Sequence, residues 1–491
     1  MTRSFDLLRY ILNVLQMLGE NRRFFLWAAL AGLGLRIFFF AYVPAVTDDS
    51  RVYIDLASNW LQHGIYGQTE LGQIVATDTR LPGYPAFLAA IFWLFGVGNI
   101  RAALAAQILL DMVACLAIAD LARRTVTGRV AGPLAFLLAA TCPFLANYAA
   151  SGLTETLEVL FTAVTLDCLA AGLDCIGENV DNTAPGWPFW TAAGASIGAC
   201  ILLRPDGGIL LAAVGIYLGL VITGRRSNPV ITKRAMSGAH LRRAIATAGI
   251  TIAVIALAPL VPWTIRNFRA LHHFEPLAPR YANEPEELTP RGFNAWVKTW
   301  MAEYASVEEI YWNVQGDKID ANKLPSRALD EPGRDETLAL IADYNQTQEL
   351  TARTDERFAA LAEERIRAHP VRYYVVLPAL RVADMWLRPR TELLPADPRW
   401  WEFNDDRRES ALAVGFGLLN LIYVASAFLA VTRGTSRLRY VGLLAGFLLL
   451  RSVFLGTIEN PEPRYTLECY PVVMVWAAAF WSEKFERRLR R

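Results

Sequence analysis

The chain has 491 residues, of which 54% are hydrophobic and 19% charged, with a net charge of +1 and a mean hydropathy of +0.27. A soluble chain of this length would carry more charge and divide into several polar-surfaced domains. The near-neutral balance leaves no electrostatic footprint for a nucleic-acid partner, and six scattered cysteines form neither a disulfide framework nor a metal set. Four of them, Cys115, Cys142, Cys168 and Cys200, fall in or beside apolar blocks and read as small hydrophobes.

Those apolar blocks are long enough to cross a bilayer, roughly 17–25 residues each. The first, "FFLWAALAGLGLRIFFFAYVPA" (24–45), follows a basic N-terminal stretch and is not followed by a small-residue cleavage site, which predicts an uncleaved anchor. Further spans are predicted near 100–120, 130–148, 157–175, 187–203, 207–223, 244–265, 411–431, 438–456 and 468–482, about ten in all within a range of ten to thirteen. Arginine and lysine gather at the N-terminus (Arg3, Arg9, Arg22, Arg23), at 122–129, 224–243 and 432–439, and in the C-terminal tail. The positive-inside rule therefore puts these loops and both termini in the cytoplasm of a multi-pass inner (plasma) membrane protein. The loop at 176–186 is acidic and still falls inside, which the rule tolerates because acids contribute little to orientation. Two other apolar stretches, 84–98 and 371–388, break the alternation if counted as crossings, and are read as interfacial or re-entrant segments of the outer side. The expected class is an all-α polytopic bundle in three parts. An N-terminal transmembrane module (1–265) carries a first outer loop at 45–99. An outer, periplasmic insertion follows at 266–410, and C-terminal helices with a basic tail close the chain at 411–491.

The outer face collects the charged groups of interest. In "VTDDSRVYIDLASNWLQHGIYG" (46–67) the apolar doublets Val52/Tyr53, Leu56/Ala57 and Trp60/Leu61 recur every four residues, so a helix there presents one stripe to an interface. Asp48 and Asp49 open it, either as an N-cap and a solvated acid or as paired functional carboxylates. Arg80 precedes the "PGYP" turn that contains Tyr84; it either snorkels or grips a phosphate in a bidentate fork. Glu155 begins the fourth span, where the helix dipole alone favours an acid. Arg204 and Asp206 share a short turn, Arg266 and Asn267 follow the seventh span, and Arg464 and Tyr465 stand at the mouth of the last. Inside spans, Arg36, Asp111, Asp167 and Arg451 each need a partner or water, since an unpaired charge there costs a few kcal/mol or more. Arg36 with Asp111 or Asp167 is read as a structural pair, and Arg451 could reach a phosphate. In the insertion, 355–390 reads as an amphipathic helix, polar before Pro370 and apolar after it, that descends onto the membrane, with Arg381, Arg388 and Arg390 snorkelling. The five histidines form no ligand set.

The order of an acidic pair after the first span, a tyrosine four residues on, "RLPGYP", "TE", "RP", "PWTIRN" and "PRY" resembles the GT-C glycosyltransferases. Among these it looks like glycosyltransferase families 39 and 83, which include the protein mannosyltransferases and the aminoarabinose transferases. The resemblance covers about 25–270 and 360–475; "RGFNAWVKTW" and "LPSRALD", within 281–330, look like a subgroup insertion. It implies a GT-C helical bundle and a donor sugar carried on polyprenyl phosphate. It also implies a catalytic acid four positions before a tyrosine, which falls on Asp49 with Asp48 as its alternate, and a second acid at Glu155. The donor phosphate would then meet Arg80, Tyr84, Arg204, Arg266, Arg464 and Tyr465, although the Lys-Pro-Pro form of the relatives is absent here.

Such an enzyme inverts the anomeric centre in one displacement on the outer face. Asp49 would act as general base toward an acceptor hydroxyl on a lipid, glycan or protein, and arginine would stabilise the leaving phosphate. A divalent cation, Mg or Mn, held by oxygen ligands from Asp49 and Glu155 is the alternative to arginine. The competing classes are a transporter or flippase of a lipid-linked sugar and a non-catalytic assembly factor for envelope polysaccharide. A transporter would show inverted repeats or helices broken at the midplane, and neither pattern is found in the sequence.

Overall fold

The computed structural model describes residues 2–178, 186–224, 238–281, 288–403, 406–433 and 438–489. Most of the acidic loop at 176–186, most of the basic loop at 224–243 and part of that at 432–439 lie outside the described residues. The chain divides into two compact units that do not follow chain order. One holds Met1–Ala282, Tyr423–Leu448 and Leu467–Arg491; the other holds Asn283–Ile422 and Leu449–Thr466.

The first unit opens with α1 (Thr2–Glu20) and α2 (Arg22–Tyr42), then α3 (Asp48–His63) and a hairpin of β1 (Gly67–Glu70) and β2 (Gln73–Ala76). It continues through α4 (Gly83–Phe95), α5 (Ile100–Thr125), α6 (Ala131–Ala140), α7 (Pro143–Ala149), α8 (Glu155–Glu178), α9 (Trp187–Leu203), α10 (Gly208–Ile222), α11 (Gly238–Leu257) and α12 (Leu260–Leu271). Among the described residues, six helices are long and apolar enough to cross a membrane, or seven when α6 and α7, bent by 55° at their junction, are counted as one span. The bend falls where Pro143 opens α7 and withholds a backbone donor from the ladder. This is an integral membrane protein of the polytopic all-α class expected. α4, the stretch read as interfacial, has 13 residues. That length reaches about 20 Å, short of a hydrocarbon layer of about 30 Å.

α8 packs between α5 and α9, and α11 against α9. Small residues allow the close approach of α4 as well: a Cβ on Gly83 would lie 2.6 Å from the backbone of Leu202. The charges inside spans resolve into pairs. Arg36 Nε donates to Asp111 Oδ2 at 2.6 Å, its Nη1 donates to the carbonyls of Gly32 and Ala140, and its Nη2 faces Asp111 and Cys115 Sγ, all of it buried. Asp167 belongs elsewhere, accepting from Tyr10 at 2.7 Å and from Arg124 at 3.0 Å. Arg124 also meets Asp120 and lies near Asp174, which binds Arg439 at 2.5 Å and Tyr440 at 2.6 Å. α8 therefore carries Glu155 at its start, Asp167 at its middle and Asp174 near its other end. From Glu155 to Asp174 is about 28 Å at about 1.5 Å per residue, close to a bilayer core.

The second unit is built on the insertion. α13 (Arg291–Lys298), the single turn α14 (Tyr304–Ser306), α15 (Arg334–Thr347) and α16 (Ala352–Ala368) enclose Phe293, Trp296, Trp300, Tyr344, Phe358 and Leu361. The segments "RGFNAWVKTW" and "LPSRALD" thus supply this core and its rim. The amphipathic helix is two pieces: α16 ends at Ala368, the chain breaks at His369–Pro370, and α17 (Leu377–Leu387) follows a wider turn. Around α17, Val371, Tyr374, Val375, Val376, Leu380 and Leu387 are exposed, while Leu377, Arg381 and Met385 are buried. The remaining helices are α18 (Arg407–Thr432), α19 (Val441–Gly456) and α20 (Tyr470–Leu489).

The snorkelling arginines are a correction. Arg381, Arg388 and Arg390 are buried. Arg381 donates to the carbonyls of Met301 at 2.9 Å, Lys298 at 2.5 Å and Gly456 at 3.3 Å. Arg390 donates to Pro463 O at 2.8 Å, and Arg388 lies over the Tyr304 ring at 5.0 Å and reaches Pro398 O. A guanidinium has five N–H donors in a rigid fork, so it satisfies loop carbonyls that no helix ladder reaches. Arg451 is likewise buried on Tyr465 O at 3.3 Å.

Arg365 and Arg372 converge on Asp330, which Arg365 reaches at 2.7 Å. Burial pushes the Asp330 carboxyl up, but the hydrogen bond and charge of Arg372, with the charge of Arg365, outweigh it and hold it below its ordinary value. A depressed carboxylate stabilises the fold above its unfolded value, and that contribution disappears as pH falls through the folded one. The loss of thermal stability of the wild type on acidification below about pH 4 is therefore expected to be steeper than that of Asp330→Asn. Melting curves across pH check this, and parallel curves would contradict it.

Candidate active site

The N-cap of α3 is Thr47, not either aspartate. Its side chain accepts from the Ser50 backbone while the Ser50 hydroxyl accepts from the Thr47 N–H, a reciprocal capping box. Asp48 and Asp49 therefore occupy the first two helical positions, and adjacent positions on a helix point about 100° apart. The Asp48 side chain is 96% exposed and paired with Arg51 on the surface. Asp49 is 31% exposed and accepts from Arg80 at 3.0 Å, whose side chain is 26% exposed.

Arg80 is held by the hairpin that precedes it. Tyr66 donates to the Arg80 carbonyl at 2.9 Å, Gln68 to the Thr79 hydroxyl at 2.9 Å, and the Thr79 N–H to Thr77 Oγ1 at 3.1 Å. Arg266 pins the hairpin from α12, donating to the carbonyls of Thr77 at 2.7 Å and Tyr66 and stacking on the Tyr66 and Trp263 rings. His273 meets the buried Asp78 at 2.7 Å. Burial works against the Arg80 charge, but the Tyr53 phenol and the Asp49 carboxylate outweigh it and hold the guanidinium above its ordinary value.

One turn after Asp49, Tyr53 packs edge-on to Tyr84 with ring centroids 5.0 Å apart. Its phenol is pushed up to about 12 by burial and by Asp49, with Arg80 and Arg204 opposing and Glu155 adding to the rise. Tyr53 is thus within electrostatic reach of two charged groups: the Asp49–Arg80 pair, and a second cluster around Arg204. There Arg204 lies 3.8 Å from Glu155, 3.9 Å from Glu158 and 3.4 Å from Asp206. Glu158 in turn lies within electrostatic reach of Glu468.

The structure brings Asp49, Arg80, Tyr53 and Glu155 together with Arg204, and sets other candidates to different tasks. Tyr84 is fully buried, its hydroxyl committed to Gln107. Arg204 is the counter-ion of the acids around it. Arg464 and Tyr465 belong to the second unit, where Glu462 holds both: its Oε2 lies 2.6 Å from Arg464 Nε, and its Oε1 accepts from the Tyr465 hydroxyl at 2.5 Å. Glu158 and Glu468 were missed in the sequence. Glu158 was within reach, standing three residues after Glu155 on the same helix face. Glu468 had no local signal, because only the fold brings it to α8. Among the described residues, no three of His, Cys, Asp and Glu are placed to hold a metal ion.

Residues 79–263 match the family model described as dolichyl-phosphate-mannose-protein mannosyltransferase, less than half of the chain. The oligosaccharyltransferase of Archaeoglobus fulgidus, with a tethered acceptor peptide, superposes with a TM-score of 0.52 at 12% identity over 95% of this chain and 50% of that one. The same archaeal enzyme, AglB, in complex with an inhibitory peptide and a dolichol-phosphate gives 0.50 at 12% identity over the same shares, 95% and 50%. ArnT from Cupriavidus metallidurans gives 0.38 at 16% identity over 91% of this chain and 77% of that one, below the level that marks a shared fold. The chain spans about half the length of the archaeal structures it matches. No curated protein matches it in sequence. The resemblance to GT-C glycosyltransferases drawn from the motif order is therefore met twice, in a family model and in the fold of the bundle.

Proposed function

We propose that this chain, with its GT-C fold and its mannosyltransferase-family segment at 79–263, is an inverting membrane glycosyltransferase that takes its sugar from a polyprenyl phosphate. The observation that carries the reading is the Asp49–Arg80 pair, a carboxylate and a guanidinium 3.0 Å apart and both partly open to solvent. The dolichol-phosphate in the AglB complex supports the lipid class of the donor.

Asp49 removes the proton from an acceptor hydroxyl as that oxygen attacks the anomeric carbon, and the bond from that carbon to the phosphate oxygen breaks. The electron pair leaves with the polyprenyl phosphate, whose growing charge the Arg80 guanidinium receives. Arg80 also holds the Asp49 side chain in place until the phosphate arrives. The acceptor is a hydroxyl on a lipid, glycan or protein, and the reaction takes place on the outer side of the membrane, because nucleotide sugars do not reach it and lipid-linked ones do.

The purified protein in lipid nanodiscs, given a radiolabelled polyprenyl-phosphate sugar and a crude envelope acceptor, is expected to yield product of inverted anomeric configuration by NMR. Retained configuration would indicate a double displacement, and carrier binding without transfer would favour a transporter. Orientation is tested separately at the hairpin tip, where Leu71 is fully exposed. In intact spheroplasts Leu71→Cys is expected to react with a membrane-impermeant maleimide, and protection until the membrane is broken would reverse the topology.

A further inference from the structure

We propose that Gln107 is a positioning residue for this reaction, setting the Asp49 carboxylate against the start of α8; the inference rests on the function proposed above. Gln107 lies in the second turn of α5, fully buried. Its Oε1 accepts from the Tyr84 hydroxyl at 2.5 Å, and its Nε2 donates to the Ser151 carbonyl at 2.8 Å. Each of these two places is tied to an acid.

On one side, Tyr84 packs against Tyr53, one helical turn from Asp49. On the other, Ser151 forms a short parallel bridge with Ala45, in which the Ala45 N–H donates to Ala150 O at 3.1 Å and the Gly152 N–H to Ala45 O at 3.0 Å. That bridge ties the chain just before α3 to the chain just before α8, so the start that carries Asp49 and the start that carries Glu155 are held side by side. Gly152 seals the joint, since a Cβ there would lie 3.0 Å from the Ser50 Cβ and hydroxyl. Ser50 is also the residue that completes the α3 capping box. The Ser151 carbonyl fixes the orientation of this buried amide, because turning it over would set oxygen against oxygen there.

Gln107 touches neither donor nor acceptor, so its removal should act on the rate and not on binding. Gln107→Leu keeps the volume and loses both bonds. Its kcat is expected to fall by about 10- to 100-fold, the scale of a misplacement of about 1 Å, with the donor KM within about twofold. Gln107→Glu keeps the shape. In its protonated form it accepts from Tyr84 and donates to the Ser151 carbonyl; ionised, it faces that carbonyl with a charge. Its kcat relative to wild type is therefore expected to approach unity at acidic pH and to fall as pH rises, while the Gln107→Leu ratio stays flat. A packing role alone would give the two variants the same pH dependence. Wild-type transfer with an unchanged kcat in Gln107→Leu, or Gln107→Glu following Gln107→Leu at every pH, would overturn the inference. Absence of transfer by the wild type would overturn the proposed function and this inference with it.

Discussion

Asp49→Asn is expected to lower the transfer rate by about 1,000-fold, within the roughly 100- to 10,000-fold that a positioned general base contributes, while Asp48→Asn stays within about threefold of wild type. The two residues are adjacent, identical in chemistry and both in the first turn of α3, so helix-dipole and capping effects apply to each. What separates them is direction: Asp48 pairs with Arg51 in solvent, and Asp49 turns to Arg80 beside Tyr53. Asn keeps the size of the side chain and can still accept from Arg80, so the fold and the donor KM should survive. Initial rates at saturating donor check this, with circular dichroism to establish that both variants fold. Equal losses in the two variants would point to a helix-end effect and remove Asp49 from the chemistry.

The largest expected effect on stability lies in the same unit, away from the site. Asp111→Ala leaves the Arg36 guanidinium buried without its carboxylate, and breaking a buried ion pair from one side costs about 3–5 kcal/mol. The carbonyls of Gly32 and Ala140 remain to Arg36, but they bring no countercharge. The double variant Arg36→Met/Asp111→Leu removes both charges and should recover most of the loss, because the price of the pair is desolvation that apolar side chains do not meet. Thermal unfolding in detergent, followed for the two variants together, separates these cases. A double variant no more stable than Asp111→Ala would show that the pair itself, and not the orphaned charge, matters.

How far the sequence was legible follows from which forces were local. Apolar length is local, so the predicted spans fall on helices. Among the described residues six of these, or seven with the bent α6–α7 pair, are long and apolar enough to cross, against about ten expected; α9 and α19 are shorter. Charge pairing inside the bundle was half legible: Arg36 plainly needed an acid, but Asp111 and Asp167 were equivalent until packing assigned Asp167 to Tyr10 and Arg124. At the site the acidic pair, Arg80 and Glu155 were visible as residues at predicted membrane exits. The distinction between Asp48 and Asp49 needed the capping residue, and Thr47 immediately before them was the overlooked sign. The arginines of the insertion were misread for a different reason. An arginine beside an apolar run looks the same whether it reaches for water or for a carbonyl, and only the loops returning over α17 decide it. Glu468 joins Glu158 across some three hundred residues of chain, a contact that no spacing encodes.

In the proposed reaction Asp49 and Arg80 together drive the departure of polyprenyl phosphate from the sugar it carries. Its most direct test is the single-turnover release of free polyprenyl phosphate from a sugar-loaded donor, with acceptor present, by wild type and Asp49→Asn side by side. The wild type is expected to release one carrier per sugar transferred, and the variant to release it about 1,000-fold more slowly at unchanged donor binding. Equal release by the two proteins, or a wild type that binds the donor and never frees its carrier, would contradict it.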